Sequence, residues 1–166
     1  LHNVAHSFPT RRSSDLVMPR PTPPALLDTA DEVEAMFYEA LQQGDIVKLM
    51  AVFADEDEVS CVHPGGPRVI GTAAIRESFE AIFANGVIPV QPEQVRRLHA
   101  LGLAVHHVVE RVPLGGTGAQ RQDAWVLATN VYVKTALGWR MVAHHASPGM
   151  AQAPSTEPRD PPATLH

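Results

Sequence analysis

The hydrophobic pattern changes period once along this chain. Between residues 30 and 83 apolar positions recur every three to four residues, and beyond about residue 90 they alternate or run continuously. Val33, Met36, Phe37, Ala40 and Leu41 form one helical stripe, which predicts a helix over 30–43. Asp28 or Thr29 can cap it, Asp31 and Glu32 favour its first turn, and Gly44 stops it. Asp45 then caps a short second helix over 46–54 that buries Ile46, Leu49, Met50 and Phe53. A strand over 59–62, the turn Pro64-Gly65-Gly66-Pro67 and a brief return strand over 68–70 follow. A third helix is expected to start at a Thr72 cap, with Ile75, Phe79, Ile82 and Phe83 inward, and to end at Asn85-Gly86.

The second half is rich in Val, Thr, Trp and Tyr. Segments 90–100, 103–113, 120–135 and 139–147 read as strands, separated by short Gly-containing joins. Long strands with short joins predict an antiparallel meander. Trp125-Val126-Leu127-Ala128 is apolar on both faces, so the sheet should be covered on both sides, by helices on one and a partner subunit on the other. The fold class is therefore α+β, with three N-terminal helices packed on a mostly antiparallel sheet. The folded unit is expected to span 25–148. The Pro-rich stretch 149–166 is expected to be disordered. His6 to Leu16 match the translation of a common sequencing-library adapter. Residues 1–24 are accordingly read as an artefact or a disordered leader, with Met18 as the native start.

Composition narrows the function classes. A net charge of −5 argues against a nucleic-acid or anionic-membrane surface. The apolar runs are too short for a membrane helix, and with no secretory segment visible the expected location is cytoplasmic. The single cysteine, Cys61, excludes an internal disulfide. Asp55-Glu56-Asp57-Glu58 reads as a solvated loop, because consecutive carboxylates do not converge on one point. Gly65-Gly66 lacks the Lys-Ser/Thr of a phosphate loop.

His63, at the mouth of the turn, is the leading candidate for chemistry, since histidine titrates near neutral pH. Cys61 lies on the same strand face but reads as an inert buried thiol. His144 and His145 must point to opposite faces, and a one-residue bulge would exchange them. His106 and His107 read as one packed and one exposed residue, Asp123 as solvated, and Trp125, Tyr132 and Trp139 as core or interface. No metal-ligand spacing is visible, so neither a metal nor a cofactor is expected.

Gly44-Asp45, Phe53-Ala54-Asp55 and Gly71-Thr72-Ala73-Ala74-Ile75-Arg76-Glu77 resemble the Δ5-3-ketosteroid isomerases of the nuclear-transport-factor-2-like superfamily. Gly138-Trp139-Arg140-Met141-Val142-Ala143-His144-His145-Ala146-Ser147 resembles SnoaL-like and kinase association-domain members. The resemblance covers about residues 30–148 and implies a cone-like fold with a strongly curved sheet. It places His63 at the isomerase base position, Phe37 where the oxyanion-hole Tyr stands and Thr129 where the oxyanion-hole Asp stands. Phe53, Phe79, Val142, His144 and Ala146 fall at pocket-lining positions, with His144 inside and His145 on the partner face. Without the Tyr and the protonated Asp the two donors for a dienolate are missing, which disfavours steroid isomerisation. An anion-binding Arg of the association domains corresponds to Asn130. The resemblance thus implies a dimeric domain binding a small hydrophobic molecule. The alternatives are an isomerase, cyclase, dehydratase or hydrolase using His63 as acid or base, and a non-catalytic dimerisation module.

Overall fold

The computed structural model describes residues 27–120 and 122–150. The leader, the adapter-like segment and all but the first two residues of the Pro-rich tail lie outside the described residues.

Helix α1 (Ala30–Gln43) begins in a capping box. The Thr29 hydroxyl accepts from Glu32 N–H, and the Glu32 carboxylate accepts from the Thr29 and Asp28 amides. This satisfies amides that the first turn would otherwise leave unpaired, an arrangement typically contributing about 1 kcal/mol. Gly44 closes the helix at φ 65°, a left-handed backbone that residues with a Cβ resist. Helix α2 (Ile46–Val52) is capped by Asp45, and its last residue, Val52, falls two residues before the expected end at Ala54. Helix α3 (Thr72–Phe83) corrects the capping prediction. Thr72 is its first helical residue, Gly71 occupies the cap, and no side chain caps the amides. It ends at Ala84, one residue before the expected Asn85-Gly86 stop.

Six strands form one sheet: β1 (Ser60–Val62), β2 (Arg68–Ile70), β3 (Gln91–Ala100), β4 (Leu103–Gly115), β5 (Gln122–Thr135) and β6 (Gly138–Pro148). Their spatial order is β2-β1-β6-β5-β4-β3. Strands β3 to β6 form the expected antiparallel meander. The β1–β6 ladder is parallel, with Cys61 opposite His144. This parallel ladder carries the β1–β2 hairpin to the far side of the last strand. The fold is thus α+β, three helices on a curved, mixed, open sheet.

The core lies between the helices and the inner sheet face. Val33, Phe37, Leu49, Val52, Ile75, Phe79, Val108, Tyr132 and Met141 are all essentially inaccessible. The chain enters the fold by pressing Leu27 against Gly138, where a Cβ would come within 2.6 Å of the Leu27 carbonyl oxygen, at φ 96°. Only glycine fits that approach. Among the described residues, no helix is long and apolar enough to cross a membrane.

Candidate functional site

A cavity of about 70 Å³ lies between the inner sheet face and the helices. Its walls are mostly apolar. Phe37 and Leu41 come from α1, Phe79 from α3, and Val112, Val126 and Ala146 from β4, β5 and β6. Three titratable side chains interrupt this lining: His63, Glu110 and His144.

His63 follows β1 and is held by the turn it starts, whose Gly66 amide bonds the His63 carbonyl at 2.8 Å. Its ring lies edge-on to Phe79, with centroids 4.7 Å apart. Nε2 is 3.1 Å from Ser78 Oγ, and that hydroxyl gives its own proton to the Ile75 carbonyl at 2.8 Å. A hydroxyl has one proton, so Ser78 must accept and His63 Nε2 must carry the hydrogen. The lone pair then sits on Nδ1, which makes that atom the base. Partial burial lowers the His63 pKa and keeps the ring neutral near pH 7. Cys61 Sγ is 4.0 Å from His63 Nε2, and burial pushes the thiol up to about 12. It stays protonated, so a thiolate–imidazole pair does not form.

His144 points inward from β6 and is buried, and His145 points outward and is exposed. A bulge does occur, but upstream. Val131 opposes Ala143 whereas Tyr132 opposes Met141, which leaves Val142 as the extra residue. The displaced residue is therefore Val142, which packs against the core outside the cavity lining. The His144 ring lies 4.9 Å from Phe37. Its pKa is lowered to about 3, first by burial and then by the neighbouring His63 and His145.

Two other residues assigned to the pocket lie elsewhere. Thr129 faces the outer surface, where its hydroxyl is 3.1 Å from His107 Nδ1. The register pairs it with His107 and outward-facing His145, so strand alternation turns its neighbour Asn130 inward instead. Phe53 stacks edge-on against Phe37 at 6.4 Å but lines a separate outer groove with Met50, Ala54 and Asp55. Phe37, Phe79, His63, His144 and Ala146 do meet at one cavity.

The polar network behind the cavity has little trace in the residue pattern. Tyr38 donates to Glu110 Oε1 at 2.8 Å, Asn130 Nδ2 donates to Tyr38 Oη at 3.3 Å, and His144 Nδ1 lies 2.7 Å from Asn130 Oδ1. All four residues are buried. Burial raises the Glu110 pKa to about 7, with nearby Glu34 adding to the effect and the Tyr38 hydrogen bond opposing it. One sequence signal existed. Ala104, His106, Val108, Glu110 and Val112 share a parity on β4, so Glu110 belongs to the same face as the core residues.

A second buried cluster lies nearer β3. Glu34 Oε2 accepts from Tyr132 Oη at 3.2 Å and lies 2.8 Å from His106 Nδ1. Asp31, Glu34 and His106 bring donor atoms within 4.8 Å of one another, a spacing a cation could use. Arg97 already places one positive charge there, at 2.5 Å from Asp31 and 3.8 Å from Glu34, so one of the two carboxylate charges is balanced by protein. Asp123, expected in solvent, is half-buried and 3.7 Å from Arg111.

The SnoaL-like domain family matches residues 31–151. Among solved structures, the chain is similar to a candidate calcium/calmodulin-dependent protein kinase type II association domain from Thiobacillus denitrificans. Identity is 35%, with a TM-score of 0.68 over 76% of this chain and 99% of that one. It is also similar to a candidate dehydratase of the NTF2-like family from Streptomyces avermitilis, at 30% identity and TM-score 0.62 over 71% of this chain and 92% of that one. A candidate ketosteroid isomerase from Shewanella frigidimarina shares the fold, with 21% identity, TM-score 0.59 and coverage of 71% and 94%. No curated protein matches the chain. The match over most of the chain, with helices, sheet and cavity arranged as described, makes this protein a member of the SnoaL-like family within the NTF2-like superfamily.

Proposed function

We propose that the domain binds a small, uncharged, mostly apolar molecule in the cavity beneath Phe37 and Phe79, and that His63 acts on it as a general base. The observation that supports this reading is the lining itself: an apolar enclosure whose polar contributions are His63, Glu110 and His144. Sites for small molecules combine apolar walls with a few polar groups. The volume, well below the roughly 300–1,000 Å³ of drug-sized sites, favours a short-chain or single-ring molecule. An anion is disfavoured, because neither histidine is cationic near pH 7 and Glu110 becomes negative as pH rises through about 7.

Native mass spectrometry of the expressed protein, with a panel of small ketones, alcohols and phenols followed by NMR, tests the binding. The expected result is a ligand whose signals report contact with His63 and His144. Ala146→Leu, which fills the cavity, should abolish binding. Survival of binding in that variant, or no binder in the panel, sinks the proposal. His63→Ala should retain affinity and lose turnover by about 10²–10⁴-fold if the base role is right. Failure to detect turnover on any ketone, epoxide or hydroxy acid would leave a binding domain only.

The outer sheet face supports a homodimer. Leu127 is 42% and Leu98 62% exposed, and Val105, Val109, Val131 and Ala143 are half-buried on the same face. A second copy would cover these apolar side chains, which share the face with the exposed His107 and His145. Sedimentation should show a dimer for the natural chain and a monomer for Leu127→Arg. A natural chain that sediments as a monomer at micromolar concentration would remove this part of the proposal.

A further inference from the structure

We infer that Glu110, acting through Tyr38 and Asn130, sets which ring nitrogen of His144 carries its proton, and so whether the cavity favours a hydrogen-bond donor or an acceptor. The inference deepens the binding reading above, and rests on it for the ligand though not for the tautomer.

The proton count is the argument. Tyr38 has one hydroxyl proton, and with Glu110 ionised it goes to Glu110 Oε1 at 2.8 Å. Tyr38 Oη must then accept from Asn130, which presents Nδ2 at 3.3 Å. An amide with its nitrogen toward Tyr38 has its oxygen toward His144, and Asn130 Oδ1 is 2.7 Å from His144 Nδ1. A carbonyl oxygen only accepts, so Nδ1 bears the hydrogen and Nε2 keeps its lone pair. His144 lines the cavity, and Nε2 is the nitrogen left to serve a ligand. In this state the site favours a molecule with a hydroxyl or N–H group.

Protonating Glu110 reverses the chain. The carboxyl now donates to Tyr38 Oη, Tyr38 donates to Asn130, and the amide rotates to present its oxygen to Tyr38 and its nitrogen to His144. His144 Nδ1 must then accept, so the ring proton moves to Nε2. The balance is one proton taken from solvent by Glu110. His144 loses a proton at Nδ1, gains one at Nε2 and stays neutral. The site then favours a carbonyl or ether oxygen.

The relay touches a second chain of hydrogen bonds at Tyr132, which bonds Asn130 and donates to Glu34 Oε2 at 3.2 Å. Glu34 and Tyr38 face Glu110 from α1, His106 shares its strand face, and His63 and His144 lie across the cavity. Neighbouring Pro92 and Val126 carry no charge. Arg111 is engaged by Glu93 and Asp123. Burial holds His144 neutral through the range in which Glu110 titrates, so a tautomer change is not masked by protonation of the ring.

Long-range proton–nitrogen correlation NMR on histidine-labelled protein reads the tautomer directly. The expected result is a change at His144 from Nδ1–H at high pH to Nε2–H at low pH. Its midpoint should match the carboxyl-carbon titration of Glu110. Tyr38→Phe cannot relay the proton, and in it the His144 tautomer should stop following Glu110. A single tautomer throughout the Glu110 titration overturns the inference, as does a switch that persists in Tyr38→Phe. A ligand arm uses 2-propanol and acetone, matched in size. Acetone only accepts whereas 2-propanol donates and accepts, so the 2-propanol-to-acetone affinity ratio should fall by about tenfold from the high-pH to the low-pH limit, the effect of acetone gaining one hydrogen bond. If the tautomer switches and neither molecule binds, the relay stands and the binding proposal falls. If both bind with a pH-independent ratio, the specificity role falls.

Discussion

Glu110→Gln should gain about 3 kcal/mol in stability relative to the natural protein as pH rises from about 4.5 to above 7. The Glu110 carboxyl has a folded pKa of about 7 against 4.5 in the free side chain, chiefly because burial penalises its charge. Between those values the folded chain holds a proton that the unfolded chain has released. Stability therefore falls as pH rises through that window, and glutamine removes the fall. His144 works in the opposite sense. Its pKa falls from 6.5 to about 3 on folding, so the unfolded chain binds the extra proton and stability rises with pH over that range. His63 is shifted in the same direction. Between about pH 4.5 and 6.5 the Glu110 and His144 contributions have opposite signs and similar slopes. Those two contributions cancel there, so the natural protein should gain only what His63 adds as pH rises, while Glu110→Gln gains stability more steeply. Urea denaturation at closely spaced pH values measures both curves. Parallel curves would show that Glu110 is not protonated in the fold.

Phe37→Ala should cost about 3–5 kcal/mol, a large share of the roughly 5–15 kcal/mol by which a domain is stable. The side chain is fully buried. Its ring meets Tyr38 at 5.3 Å, Phe53 and Phe79 at 6.4 Å each, and His144 at 4.9 Å. Removing it deletes the buried apolar area and the edge-to-face contacts together. Rings supplied by two other helical segments surround it, and they cannot all close on the space. The expected measurement is a lower denaturant midpoint with an unchanged slope. A loss under 1 kcal/mol would mean the neighbours collapse into the vacated volume. The same variant enlarges the cavity, so bulkier aromatic molecules than the natural chain accepts should bind to it.

The fold was legible because its local signals agree. The stripe through Val33, Phe37 and Leu41, the Thr29 cap, Gly44, and the change to alternating Val and Thr each point to one element order. The site was legible in part. His63, His144, Phe37 and Phe79 sit on the cavity, whereas Thr129, Phe53 and Val142 do not. Thr129 failed by one residue of strand parity, and Val142 failed through a bulge. Both depend on the hydrogen-bonded register between neighbouring strands of the meander, which the residue pattern of a single strand does not reveal. Glu34, Tyr38, Glu110 and Asn130 were hidden for a different reason. Polar side chains on an amphipathic element read as solvent-facing unless their partners are known, and these partners lie far along the chain. Tyr38 bonds Glu110 and Asn130, and Glu34 bonds His106 and Tyr132. The helix face that enters the core is rotated accordingly, with Tyr38 more buried than Met36.

The parallel ladder between β1 and β6 has a consequence for the order in which the protein matures. Ser60–Val62 pairs with residues 143–145, a span that encloses nearly the whole meander. Closing so long a loop is slow, because its entropy is lost before the contact repays it. The meander and the helical hairpin can organise from local contacts. His63 reaches its place beside His144 only after the last strand has been synthesised and docked. A nascent chain on the ribosome therefore carries a formed sheet before it has a site, and capture of a ligand would report the last step of folding.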